Sequence, residues 1–245
     1  FSQGMEYLSL CCGGADQAFI DMKLADSLSV YVEQAAYAWF EQQVYALSKE
    51  ELTEENFKAF QAAVKERILQ LLHMPEATPQ PQPVLLSTVQ RDGYRGEKWE
   101  FYPDDFTAVP YLALIPDGAS AEAPVPGVLC FLGSNHSKEF CAGEEYPKHP
   151  NYVQTHFPER NQMALYLVQN GMAAFVFENP ATAESSILTP PELGATHMYT
   201  RSVLCHGLLD TGLNYVGLTV FQRLQFLKWM DMFPFVDQDR MGISA

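Results

Sequence analysis

The sequence predicts an α/β fold of three layers, in which a mostly parallel sheet lies between helices and a pair of helices precedes it. Three observations carry this. From Val125 onward, continuous apolar runs of strand length alternate with runs at helical spacing, which is the pattern of a parallel sheet with right-handed crossovers. Ahead of that, three strand-like runs follow one another with only turn residues between them, which predicts an antiparallel edge. Finally, Pro75, Pro79, Pro81 and Pro83 break the chain between this body and the helical patterns before it.

The elements follow in order. Asp26 to Leu47 places Tyr31, Ala35, Ala38 and Val44 at helical spacing. Ser48-Lys49-Glu50-Glu51 and Thr53 offer N-cap side chains to a second helix, on which Phe57, Phe60, Val64, Ile68 and Leu71 share one face. Neither helix can bury such a face alone, so the pair is expected to dock on the body of the domain. Residues 1–74 therefore read as a helical extension and 75–83 as a linker, because proline has no N–H and excludes regular helix and strand pairing. Residues 84–245 read as the α/β domain. Within it Val84–Gln90, Glu97–Tyr102 and Val109–Ile115 are strands, separated by turn residues such as Asp92-Gly93 and Pro103-Asp104. Val125–Leu132 and Met172–Phe177 are buried strands, Arg160–Asn170 and Thr219–Met232 are helices, and Arg240–Ser244 begins another strand.

Composition narrows the function. The chain has 245 residues, 47% of them hydrophobic, enough for a globular core. A formal charge of −15 and a pI near 4.7 oppose broad binding to nucleic acid or anionic membrane, since both are polyanions. Its longest apolar stretches fall far short of the roughly 20 residues that span a bilayer. Cys11, Cys12, Cys130, Cys141 and Cys205 are odd in number and without repeating spacing, so no disulfide framework is expected. The Cys11-Cys12 pair has no companion at zinc spacing, and no metal site is expected. The chain opens on Phe1 and shows no charged segment followed by an apolar one. That pattern fits a cytoplasmic protein, or a periplasmic or secreted one whose signal peptide is missing.

In parallel sheets ligands sit beyond the carboxyl ends of the strands, so the loops there should hold the chemistry. Three segments fit: Gly133-Ser134-Asn135-His136-Ser137-Lys138-Glu139 with Gly143-Glu144, then Asn179-Pro180-Ala181-Thr182-Ala183-Glu184, then Asp237 to Ala245. Together they resemble, from about Val84 to Ala245, the α/β-hydrolase esterases of acetyl xylan esterase type, including esterase-like proteins associated with glycan uptake in gut bacteria. In that family a strand ends in a Gly-Ser or His-Gly turn followed by Lys-Glu, and the next strand ends in an Asp-Asn-Pro-like turn with Gly-Glu. A segment like Gly212-Leu213-Asn214-Tyr215-Val216-Gly217-Leu218-Thr219 precedes the helix before the nucleophile strand. An Asp-Arg-Ile-Gly-Ile-Ser-Gly run then leads into Gly-x-Ser-x-Gly, and Asp239-Arg240-Met241-Gly242-Ile243-Ser244-Ala245 matches that run.

The resemblance implies an α/β-hydrolase, and a carboxylic-ester hydrolase that deacetylates carbohydrate esters through a Ser–His–acid triad, with no cofactor. Its partner would be a small-molecule or oligosaccharide ester. The nucleophile would be the second residue beyond Ala245, with the acid and histidine after it in chain order. The chain is thus expected to be truncated before the nucleophile loop and to be inactive as given, with Ser244 a strand residue. Ester hydrolysis builds charge on the carbonyl oxygen, and fixed backbone N–H groups stabilise it. By the motif match one donor is the N–H of Ser134, or that of Asn135, with Gly133 allowing close approach. The rival reading of these residues is a plain turn. Gly133, His136 and Glu184 are expected to face substrate, Glu184 as a rim or loop-organising group with Ala183 in place of the family's glycine. Lys138, Glu139 and Glu144 either fix the loop by ion pairs or form a solvated turn. His136 has no second histidine or carboxylate at metal spacing. The same fold also serves peptidases, dienelactone-type hydrolases and non-catalytic binding proteins.

Overall fold

In the computed structural model, the residues described are 38, 53–54, 56–78, 80–133, 137–144, 162–186 and 197–245. The chain divides into two compact units, Phe1–Arg67 and Ile68–Ala245. The helix read over Asp26–Leu47 lies outside the described residues except for Ala38, which is helical and exposed. Helix α1 (Phe57–Leu72) follows Thr53, one of the cap residues read from the sequence, whereas Ser48–Glu51 lie outside the described residues. Thr53 Oγ1 accepts from Asn56 N–H at 3.3 Å while Asn56 Oδ1 accepts from Thr53 N–H at 2.7 Å, a reciprocal cap that satisfies two otherwise free donors. No residue of α1 is buried, so the apolar face read from its sequence stays exposed at Phe57, Ile68 and Leu71. Residues 73–78 and 80–83 form neither helix nor strand.

The six strands are β1 (Val84–Arg91), β2 (Tyr94–Phe101), β3 (Val109–Pro116), β4 (Val125–Cys130), β5 (Ala173–Phe177) and β6 (Val236–Ser244). They form one mixed sheet in the order β1-β2-β3-β5-β4-β6. The expected antiparallel edge is present: β1 and β2 form a hairpin across Asp92-Gly93, where Gly93 takes φ +79, and β2 pairs with β3 from Tyr94↔Pro116 to Phe101↔Val109. β3 also runs antiparallel to β5, and parallel pairing is confined to β5, β4 and β6.

Alternation along β5 shows how the layers form. Ala173, Phe175 and Phe177 point to one face with Phe101, Tyr111, Phe226, Met230 and Phe233, whereas Ala174 and Val176 point to the other with Cys130, Cys141, Ala142, Ala164 and Val168. The first face is covered by α5 (Tyr215–Leu227) and the 3-10 turn Met230–Met232, the second by α2 (Lys138–Cys141) and α3 (Met163–Gln169). Three layers result. Phe226 is the hub of the first, its ring 4.5 Å from Phe177, 4.9 Å from Tyr111 and 5.3 Å from Phe101, mostly edge to face.

Several boundaries differ from the sequence reading. The last helix begins at Tyr215 rather than Thr219, because Asn214 caps it: Asn214 Oδ1 accepts from Gly217 N–H at 2.7 Å. The same side chain donates to the carbonyls of Leu71 and Leu72, at 2.9 and 2.8 Å, closing the open end of α1. This helix ends at Leu227, leaving Trp229 beyond it and half-buried. β6 begins at Val236, not Arg240, since Val125 N–H bonds to the carbonyl of Phe235 and Val125 pairs with Val236. A further helix, α4 (His197–Asp210), was not anticipated.

Candidate active site

β4 ends at Cys130 and β5 at Phe177, and the two lie side by side and parallel, so the segments leaving them emerge at the same end of the sheet. From β4 the chain passes Phe131, Leu132 and Gly133, and Ser137 precedes α2, which its Oγ caps by accepting from Phe140 N–H at 3.2 Å. Ser134, Asn135 and His136 lie between, outside the described residues. Gly133 is exposed.

The segment after β5 contributes a buried carboxylate. Glu178 Oε1 accepts from Lys138 N–H at 2.9 Å, and Oε2 accepts from Glu184 N–H at 3.1 Å. The Lys138 side chain is fully buried, its ammonium 2.6 Å from Glu184, 2.7 Å from Glu139 and 3.5 Å from Glu178. Glu184 also pairs with Lys98 of β2, at 2.6 Å. On the other side Arg223 of α5 donates to the Glu178 carbonyl at 2.8 Å and to Asn179 Oδ1 at 3.3 Å, with its guanidinium over the rings of Phe177 and Phe131. Asn179 Nδ2 in turn donates to the carbonyls of Leu132, at 3.0 Å, and Gly133, at 3.5 Å. Three cations, Lys98, Lys138 and Arg223, thus offset three carboxylates, Glu139, Glu178 and Glu184. A desolvated cluster needs such balance, because an unpaired buried charge is costly.

Burial shapes the titration of each group. It pushes the Glu178 carboxyl up to about 7, against the pull of Lys138, and Glu139 and Glu184 add to the rise. For Lys138 burial alone would pull the ammonium down, but the carboxylates of Glu178, Glu139 and Glu184 outweigh it and hold the group above the usual lysine range. Desolvation would likewise raise Glu184, yet Lys138 and Lys98 hold it below the ordinary carboxylate value. Burial draws Arg223 down to about 10, still charged at neutral pH.

The turn between Asn179 and Glu184 is backbone-strained. Ala181 and Ala183 take φ 56 and 42, a region that costs a residue with a Cβ about 1–2 kcal/mol. Ala183 stands where the resembling family has glycine, which adopts that φ without penalty. Thr182 Oγ1 bonded to the Asn179 carbonyl and Thr200 Oγ1 of α4 bonded to the Ala181 carbonyl hold the turn, at 2.6 and 2.9 Å. Tyr215 Oη donates to the Pro180 carbonyl at 2.9 Å.

Of the residues singled out in the sequence, Gly133 and Glu184 belong to one network through Asn179 and Lys138. Glu144 lies apart, in a two-pronged pair with Arg91 at 2.9 and 2.5 Å. Ser244 is a strand residue opposite Cys130, its hydroxyl 2.7 Å from Met163 Sδ. His73 and His206 are exposed. Asn179 was placed in a candidate segment without a role, and Glu178, Lys98 and Arg223 were assigned none, although a glutamate directly after five buried apolar residues and an arginine within an apolar helix are recognisable signals. Among the described residues no group of three or more His, Cys, Asp or Glu could hold a metal ion, and no helix is long and apolar enough to cross a membrane.

Comparison with known proteins places this geometry. A protein from Bacteroides fragilis NCTC 9343 assigned as an acetyl xylan esterase is 32% identical, with a TM-score of 0.69 over 79% of this chain and 48% of its own. The chain therefore spans about half the length of that protein. A methylesterase aligns with a TM-score of 0.53 at 13% identity, over 84% of this chain and 40% of its own, a likeness of fold alone. No curated protein matches the sequence. The model of the abhydrolase family matches residues 28–245, and with the strand order and the parallel β5-β4-β6 core it shows that the chain belongs to that family and has an α/β-hydrolase fold.

Proposed function

We propose that the protein is a carboxylic-ester hydrolase that deacetylates carbohydrate esters, and that the loop after β4 supplies one of its two oxyanion donors. The observation that carries this reading is the anchoring of that loop: its ends are tied by the buried Glu178 and the half-buried Asn179 at the carboxyl ends of the parallel strands, where α/β sheets bind their ligands. The similarity to the Bacteroides fragilis protein supports the ester class.

In this reading a serine C-terminal to Ala245 attacks the ester carbonyl, a histidine takes its proton, and an acid orients the histidine. The N–H of Ser134, or that of Asn135, meets the oxygen as it becomes negative, beside the N–H of the residue after the nucleophile. Gly133 and His136 face the substrate. Glu184, already committed to Lys98 and Lys138, forms the rim rather than an acid catalyst. Residues 1–74 serve as a helical extension and 75–83 as its linker.

The test uses the protein expressed from its complete gene. Loss of one oxyanion donor typically lowers kcat by about 100-fold or more. Ser134→Pro, which removes the N–H, is expected to lower kcat on p-nitrophenyl acetate by that order, and Ser134→Ala, which keeps it, to change kcat little. Equal effects of the two substitutions would refute a backbone role.

A further inference from the structure

We propose that Glu178 and Asn179 are positioning residues for catalysis, two consecutive side chains beyond β5 that grip opposite ends of the loop after β4. The inference rests on the reading of that loop as carrier of an oxyanion donor.

Asn179 takes the near end, through Nδ2 to the carbonyls of Leu132 and Gly133 at 3.0 and 3.5 Å. Glu178 takes the far end, through Oε1 to the N–H of Lys138 at 2.9 Å. The grip is itself held. Arg223 bonds both the Glu178 carbonyl and Asn179 Oδ1, and Glu184 N–H occupies the second oxygen of Glu178. Glu178 is buried with the Lys138 ammonium 3.5 Å away, so its carboxylate has little room to turn. A donor N–H acts in catalysis only where it meets the developing oxyanion, and a displacement of about 1 Å can cost about 100-fold in rate. Neither side chain needs to touch substrate. Each acts through the backbone that flanks the proposed donor, at Leu132 and Gly133 on one side and Lys138 on the other.

Asn179→Asp is the discriminating variant. It keeps an oxygen for Arg223 but replaces the amide donor with a second oxygen facing two carbonyls. Glu178→Gln replaces one of two acceptors and removes the charge. In the protein expressed from its complete gene, both are expected to lower kcat on p-nitrophenyl acetate at least about tenfold with KM within about twofold. The circular dichroism spectrum of Asn179→Asp should match the wild type, and hydrogen exchange of the peptide spanning residues 131–140 should quicken. Should Glu178→Gln fail to fold, Asn179→Asp decides alone. A folded Asn179→Asp with wild-type kcat, or one altered only in KM, overturns the inference while leaving the esterase reading intact. A wild-type protein inactive on esters overturns the esterase reading and this inference with it.

Discussion

Lys138→Met removes a single buried charge, and the surrounding carboxylates fix what should follow. The ammonium lies 3.5 Å from Glu178, an attraction of about 5 kcal/mol at an effective dielectric constant of about 20. Losing it should raise the titration of Glu178 further. In the wild-type chain that carboxyl titrates at about 7 against an ordinary value of 4.5. The folded state therefore binds more protons than the unfolded one between these values, and the Glu178 contribution to stability falls as pH rises through that window, then levels off above about 7. In the variant the fall continues. At up to about 1.4 kcal/mol for each pH unit, and with the wild type still half-titrated at pH 7, the variant should lose up to about 1.5 kcal/mol more than the wild type between pH 7 and pH 8.5. A pH-independent loss of at least about 2 kcal/mol should accompany it, from the charged hydrogen bonds to Glu139 and Glu184. Urea unfolding followed by circular dichroism at pH 5.5, 7 and 8.5 measures both parts. Equal losses at pH 5.5 and 8.5, or a larger loss in acid, would refute this assignment of charge in the cluster.

Two further substitutions probe the layers around the site. Gly217→Ala should destabilise by about 1–3 kcal/mol despite the better helix propensity of alanine, because the added Cβ would press on the carbonyl of Leu72 and lie 3.3 Å from Asn214 Oδ1; a raised Tm would contradict it. Phe226→Ala should cost about 3–5 kcal/mol in denaturant unfolding, since the ring is fully buried among Phe101, Tyr111, Phe175 and Phe177. A loss under about 1 kcal/mol would show that the aromatic cluster is not the packed core it forms here.

What the sequence revealed and what it hid have physical reasons. β5 was legible because both its faces are buried, so Ala173–Phe177 reads as an unbroken apolar run. β6 lies at the sheet edge, and its exposed Asp239 and Arg240 dilute the pattern, so its first four residues went unread. α4 escaped because its apolar residues do not form one stripe: Leu208 is buried while Leu209 beside it is exposed. The start of α5 was obscured by Gly217, which reads as a break until Asn214 is recognised as the cap whose Oδ1 accepts from its N–H. The charged cluster is least visible of all. Lys138, Glu178 and Arg223 come from separate parts of the chain, and no local period records that the fold will bury them together, with the half-exposed Lys98 at their edge.

Labelling the protein expressed from its complete gene with a fluorophosphonate, then mapping the modified peptide, tests the proposed chemistry most directly. The expected result is one labelled serine, C-terminal to Ala245, with ester turnover lost in step with its modification. Label on Ser134, Ser244 or any other serine of residues 1–245, or turnover that survives complete labelling, would contradict it.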